Sequence, residues 1–320
     1  MKNNQVYDAL LDEIRKKIPQ NSKLVSKLVD ILCIEKEAVY RRLRREVPFT
    51  FQEIVRLSKT LGISLDHILN IDSHKNRVFQ LKLIEYMDPH EIDYSMIQDY
   101  VNIIRNSKNE KNTETGIVSN IIPQTLYTGF KLISRFYVFK WHYHYNYNQI
   151  KPFHETFVPE RISTLFESCY NESKNIHTTS YILDNQMIQN LINDVKYFNS
   201  IRLIKDEDLA LIKEELVQFL DYMETIAVSG FFPETKNKVQ IYISSINIDT
   251  NYTYMDTQNY KLSMIWTFIL TFTISIDRKT FDLIKSWFWS IIRNSSLITV
   301  TGEKERILFF ETQRRIIEEF

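Results

Sequence analysis

The stretch LVSKLVDILCIEKEAVYRRLRRE, residues 24–46, decides how the N-terminal part of this chain is read. Leu24, Val25, Leu28, Val29, Ile31 and Leu32 recur at helical steps, and Ser22 is suited to cap the helix they predict. Cys33-Ile34 break the pattern. A second helix is then expected from Glu35 to about Arg45, with Ala38, Val39 and Leu43 facing inward. Lys36, Arg41, Arg42, Arg44 and Arg45 lie within this short helix, and such a cluster fits either a solvated helix face or the electrostatic footprint of a nucleic-acid contact, between which the surrounding pattern decides.

Working outward, Asn4–Lys17 carries Val6, Leu10, Leu11 and Ile14 at helical spacing, with Ile18 beyond and Pro19 blocking continuation. Downstream, Thr50-x-x-Glu53 has the form of a capping box, opening a helix with Ile54, Leu57 and Leu61. Gly62 stops that helix, and Ser64 caps a fifth bearing Leu65, Ile68 and Leu69. Residues 1–70 hold 13 Lys and Arg against 9 Asp and Glu, so their net charge is 13 − 9 = +4. The other 250 residues hold 27 against 31, a net of −4, which cancels the asymmetry in the whole-chain total.

Two helices joined by a short turn, the second basic outside, form a helix-turn-helix pattern. Together with FTFQEIVRLSKTLGISLDHIL, residues 49–69, the opening stretch resembles the lambda-repressor-like, Cro-type family of helix-turn-helix transcriptional regulators. Leu28, Ala38, Val39 and the closing segment Leu57–Leu69 carry the resemblance, which covers residues 18–70. It implies a five-helix domain that binds double-stranded DNA. The family usually has Gly where this chain has Cys33, and often Gly where it has Arg45.

In that fold the start of the second helix enters the major groove. Lys36, Glu37, Tyr40 and Arg41 are therefore the candidate base readers: Lys and Arg suit guanine, and Glu suits cytosine. Ser22, Lys23, Arg42, Arg44 and Arg45 are the candidate phosphate contacts. Glu37 can equally complement the helix dipole, and Tyr40 can pack its ring on Arg44.

Beyond residue 72 the pattern changes. Asp72–Arg77 is a polar junction, and NSKNEKNTETG at 106–116 has linker composition. Between them, Val78–Ile104 reads as helical with Pro89 interrupting. Gln124–Tyr145 fits helix or strand, helix being favoured; further helices are expected at Pro159–Cys169, Asn185–Asn199 and Asp206–Val228. Val239–Asp249, Tyr252–Asp256 and Tyr260–Ile276 read as successive antiparallel strands, the last with apolar residues at every even position from Leu262. A helix over Arg278–Ile292, a short strand at Leu297–Val300 and a helix over Glu303–Phe320 complete the chain. The expected organisation is a 1–72 DNA-binding domain, a 73–116 helical linker region and a 117–320 α+β regulatory or dimerisation region. The fold class is thus mainly α with an α+β C-terminal part, its sheet antiparallel. The last stretch, LITVTGEKERILFFETQRRIIEE, also resembles the ending of long helix-turn-helix regulators found in Bacteroidetes.

Several functions are disfavoured. The five glycines never approach one another, which excludes glycine-rich dinucleotide and phosphate loops. Cys33 and Cys169 permit neither a disulfide framework nor a cysteine zinc site. His142, His144 and His154 lack the spacing of a metal site, no G-x-S-x-G elbow occurs, and no cofactor is called for. Trp266, Trp287 and Trp289 are candidates to line a ligand pocket, although core filling explains such spacing too. The polar N-terminus reads as no secretory signal, and Leu262–Ile276 is shorter than the about 20 apolar residues of a membrane helix. The expectation is a cytoplasmic, non-enzymatic, homodimeric DNA-binding transcription regulator whose C-terminal region pairs subunits or senses a small-molecule or peptide effector. The alternative is a protein-interaction module whose degenerate helix-turn-helix does not bind DNA.

Overall fold

Apolar residues at three- and four-residue steps make the first four helices amphipathic: α1 (Lys2–Lys17), α2 (Asn21–Leu32), α3 (Lys36–Leu43) and α4 (Phe51–Leu61). Their inward faces meet around Leu11, Ile14, Leu28, Leu32, Val39 and Leu57, all at most 1% exposed. The computed structural model describes residues 2–18, 21–63, 65, 68, 79–108, 110, 112–145, 150–267 and 270–320. It divides into two compact units, Met1–Val78 and Phe79–Phe320. Most of the expected fifth helix, including its cap Ser64, and the junction Asp72–Arg77 lie outside the described residues. Helix α2 starts at Asn21, so Ser22 sits inside the first turn and is not the cap.

The second unit combines helices with one mixed sheet. In chain order the elements are β1 (Gln80–Lys82), α5 (Glu91–Asn106), β2 (Glu114–Ser119), α6 (Gln124–Tyr127), α7 (Lys131–Tyr145), α8 (Glu160–Ser173), β3 (Thr178–Asp184), α9 (Met187–Ser200) and α10 (Asp206–Ser229). There follow β4 (Lys238–Ser244), β5 (Tyr252–Asp256), β6 (Lys261–Thr267), β7 (Thr271–Ser275), α11 (Arg278–Ile292), β8 (Ser295–Leu297) and α12 (Glu303–Glu318). The strand order is β1-β7-β6-β5-β2-β3-β4-β8. Strands β2, β3 and β4 run parallel to one another, and every other neighbouring pair is antiparallel.

This corrects the expected antiparallel sheet. Helices α6–α8 carry the chain from β2 to β3, and α9–α10 carry it from β3 to β4. Such helical crossovers are what parallel pairing requires. Strand β4 therefore lies beside β3, and β2 and β3 separate it from β5. The 73–116 linker expectation is corrected as well, because residues 79–116 are part of the second unit. Ile84, Tyr86, Val101 and Ile104 are in its core, and β2 begins within the stretch read as linker. Among the described residues of the segment read as helix, Val78–Ile104, only those from Glu91 onward are helical, in α5.

The ambiguous segment 124–145 is helical, as α6 and α7, and α7 is buried almost all round, which explains its mixed periodicity. Tyr260–Ile276 is a hairpin, β6 and β7, and not one strand. The pairing sets Met264 opposite Ile274 and Trp266 opposite Phe272, so even positions share one sheet face on both sides of the turn. That parity is why the alternation ran unbroken through a hairpin. Leu262, Met264, Leu270 and Phe272 are buried, whereas Ile276 is exposed. The sheet face bearing Ile117, Tyr181, Met255 and Met264 belongs to the large core with most of the helices. The opposite face, with Val118, Ile182, Tyr252 and Tyr254, is covered by Phe281 and Phe288 of α11. Among the described residues no helix is long and apolar enough to cross a membrane.

Candidate nucleic-acid interface

Helix α3 is set by its two ends. Cys33 takes φ 54° and its N–H donates to the Val29 carbonyl at 2.8 Å, closing α2 and turning the chain after it. Arg45 takes φ 67°; its N–H reaches the Arg42 carbonyl at 3.1 Å, and the Glu46 N–H reaches the Arg41 carbonyl at 2.9 Å. That is the Schellman pattern, with arginine at the position glycine favours. Both departures from the family pattern thus adopt the left-handed backbone that Gly would take without a Cβ penalty.

Behind α3, Val39 is fully buried and Arg42 reaches across to α4. Its Nε donates to Glu53 Oε2 at 2.9 Å and Nη2 to Oε1 at 2.7 Å, while Nη1 donates to the Ala38 carbonyl at 3.1 Å. The two side chains are only 13% and 10% exposed. Glu53 also closes the expected capping box: its Oε2 accepts from the Thr50 N–H at 2.8 Å, and the Thr50 hydroxyl accepts from the Glu53 N–H at 3.3 Å. Burial alone would raise the Glu53 pKa, but the hydrogen bonds and charge of Arg42, with the Thr50 bond, hold it below the ordinary value. Tyr7 of α1 adds a hydroxyl bond to the Arg42 carbonyl at 3.1 Å and stacks on Phe49. Arg42 is thus corrected from phosphate contact to internal brace, its donors being turned inward.

The other predicted residues fall on the outside. Lys36, Glu37 and Arg41 are exposed and Tyr40 is half-buried, on a face reached at three- and four-residue steps. Arg44 lies over the Tyr40 ring at 5.6 Å, the packing that the sequence left open. Lys23 is exposed on α2; the Ser22 side chain lies outside the described residues. Glu35 occupies the N-cap of α3 without a side-chain cap bond.

Sequence reasoning missed the carboxylates beside the arginines. Arg41 lies 3.7 Å from Glu46, Arg44 lies 3.5 Å from Glu37 and 3.4 Å from Glu46, and Arg45 lies 2.7 Å from Asp8 of α1. These pairs are solvent-exposed, so each holds its arginine weakly and a phosphate can compete for it. Glu46 directly follows the arginine run, which was a visible signal; Asp8 is 37 residues away and gave none.

The second unit does not assemble the suggested tryptophan pocket. Trp266 is half-buried against Phe272 on the large-core face, whereas Trp287 and Trp289 are exposed on α11, which covers the opposite face. His142 is buried on α7, His144 is exposed on the same helix, and His154 lies beside Glu155 at 3.6 Å. Among the described residues no group of three His, Cys, Asp or Glu side chains is placed to hold a metal. Cys169 is buried, and that burial pushes its thiol up to about 12. Comparison with protein-family models, curated proteins and solved structures yields no match to this chain.

Proposed function

We propose that the first unit is a lambda-repressor-like helix-turn-helix that binds double-stranded DNA, and that the chain is a transcription regulator acting by binding and not by catalysis. The observation carrying this reading is α3 itself. It follows α2 after a three-residue turn and is braced from behind by the Arg42–Glu53 fork, with Lys36, Glu37, Tyr40 and Arg41 on its outer face. Lys and Arg on the outward face of such a helix read guanine edges, and Lys23, Arg44 and Arg45 flank them for phosphates. One module of this size typically buries about 600–1,000 Å² on DNA, so tight binding calls for two copies on half-sites about one helical turn apart. The second unit supplies that pairing in this reading, with α12 as the first candidate surface. A fluorescent duplex titrated at several salt concentrations tests the reading. Affinity should fall steeply with salt, with a slope of about −0.9 per phosphate contacted; a flat response contradicts it.

The carboxylates favour one competing reading. With Glu37, Glu46 and Asp8 beside its arginines, the face of α3 also suits a protein partner of mixed charge. A complex whose formation is unchanged by competing duplex DNA would support that alternative.

A further inference from the structure

The carboxyl ends of β3 and β4 open into a groove of about 730 Å³, walled on one side by α12. Asn185 and Gln186 follow β3, Ser244 and Ser245 close β4, and Leu308 and Thr312 line the helical wall. Ile298, Phe309 and Ile316 give the groove an apolar side.

Two features set its chemistry. Gln313 also lines the groove and is 1% exposed; its Nε2 donates to the Asn185 carbonyl at 3.0 Å, but its Oε1 is enclosed with no protein donor. Buried acceptors are normally paired, so this one marks a place for an incoming N–H or O–H. Charge points the same way. Glu305 is the charged side chain among the lining residues, and no cation accompanies it. The buried Asp184 carboxylate, at the end of β3, accepts from the N–H groups of Gln186 at 2.8 Å and Ile248 at 2.9 Å. It places a negative charge at the positive start of α9, which disfavours an anionic ligand there.

We propose that this groove binds a small ligand joining an ammonium or amide N–H head to an apolar body. The head meets Gln313 Oε1 and the body lies against Ile298, Phe309 and Ile316, while Glu305, about two turns away on α12, gives the groove its negative charge. The proposal deepens the effector part of the regulator reading, but its test needs no DNA, so the two can fail separately.

The probe is L-leucinamide, with 4-methylpentanoate, a carboxylate of the same branched apolar body and no N–H, as its counterpart. Saturation-transfer NMR on the DNA-free full-length protein should show transfer to the leucinamide methyls and much less to those of 4-methylpentanoate. Thr312→Trp, at an exposed position on the groove wall, should abolish the transfer. Gln313→Met should weaken binding about tenfold, the loss of one hydrogen bond. Circular dichroism on both variants confirms that they fold. Absence of transfer in the wild type, equal transfer to the carboxylate, or transfer persisting in folded Thr312→Trp would each overturn the proposal.

Discussion

Arg42 of α3 and Glu53 of α4 are joined by a two-pronged ion pair, Nε and Nη2 at 2.9 and 2.7 Å from the two carboxylate oxygens, almost out of contact with solvent. One carboxylate thereby does two jobs: it closes the start of its own helix and fixes the neighbouring one. Removing one partner of such a buried pair leaves an uncompensated charge, at a cost of about 3–5 kcal/mol. Arg42→Met should therefore speed hydrogen exchange of the α3 and α4 amides in the full-length chain. The double variant Arg42→Met/Glu53→Leu should recover much of the loss; if it is no more protected than the single variant, the pair is not the brace.

The same pair predicts an acid dependence. Glu53 is held below the ordinary carboxylate pKa in the folded unit, so its contribution is complete at neutral pH. It is lost as pH falls from the unfolded-state value through the depressed folded one. Protection of α3 and α4 should drop over that window in the wild type, and the drop should be smaller in Glu53→Gln.

The left-handed residues give a prediction of opposite sign. Cys33 and Arg45 sit at φ 54° and 67°, where a Cβ costs about 1–2 kcal/mol. Glycine's extra chain entropy takes back about 0.5–1 kcal/mol. Cys33→Gly should thus gain up to about 1 kcal/mol, and Arg45→Gly less, because it also loses the contact with Asp8. Thermal unfolding read on the first unit checks both.

Val300 is the more strained case, a β-branched residue at φ 53° and 56% exposed. The buried Arg306 holds this turn through the Ile298 and Val300 carbonyls at 3.1 and 3.2 Å. Val300→Gly should stabilise the second unit by about 1 kcal/mol, whereas Arg306→Met, which strips the buried Ile298 carbonyl and the part-buried Val300 carbonyl of their donor, should destabilise it by about 1–3 kcal/mol. Urea titration of both variants gives the signs directly.

What could be read ahead of the structure was what local chemistry determines. Thr50 and Glu53 announce their capping box three residues apart, Gly62 stops α4 at φ 64°, and Arg278–Ile292 carries its helical period openly. Arg42 looked like any other cation in its run, because its role depends on α4 lying behind it. Strands β2 and β3 were missed for a related reason. Gly116–Ser119 and Ser180–Asp184 are buried on both sheet faces, so they show no period-two alternation. Without them, β4 and β5 looked like neighbours. The tryptophans were close in sequence order, but the sheet stands between Trp266 and the helix that bears Trp287 and Trp289.

The most direct test of the central claim is selection of binding sites from a pool of random duplex DNA by the full-length protein at moderate salt. Wild type should enrich a defined sequence. Arg41→Ala should lose about 1–3 kcal/mol on that site and relax the choice at one position, while Arg45→Ala should weaken all sequences alike and lower the salt slope. Wild-type protein that enriches no sequence over the starting pool would contradict the account.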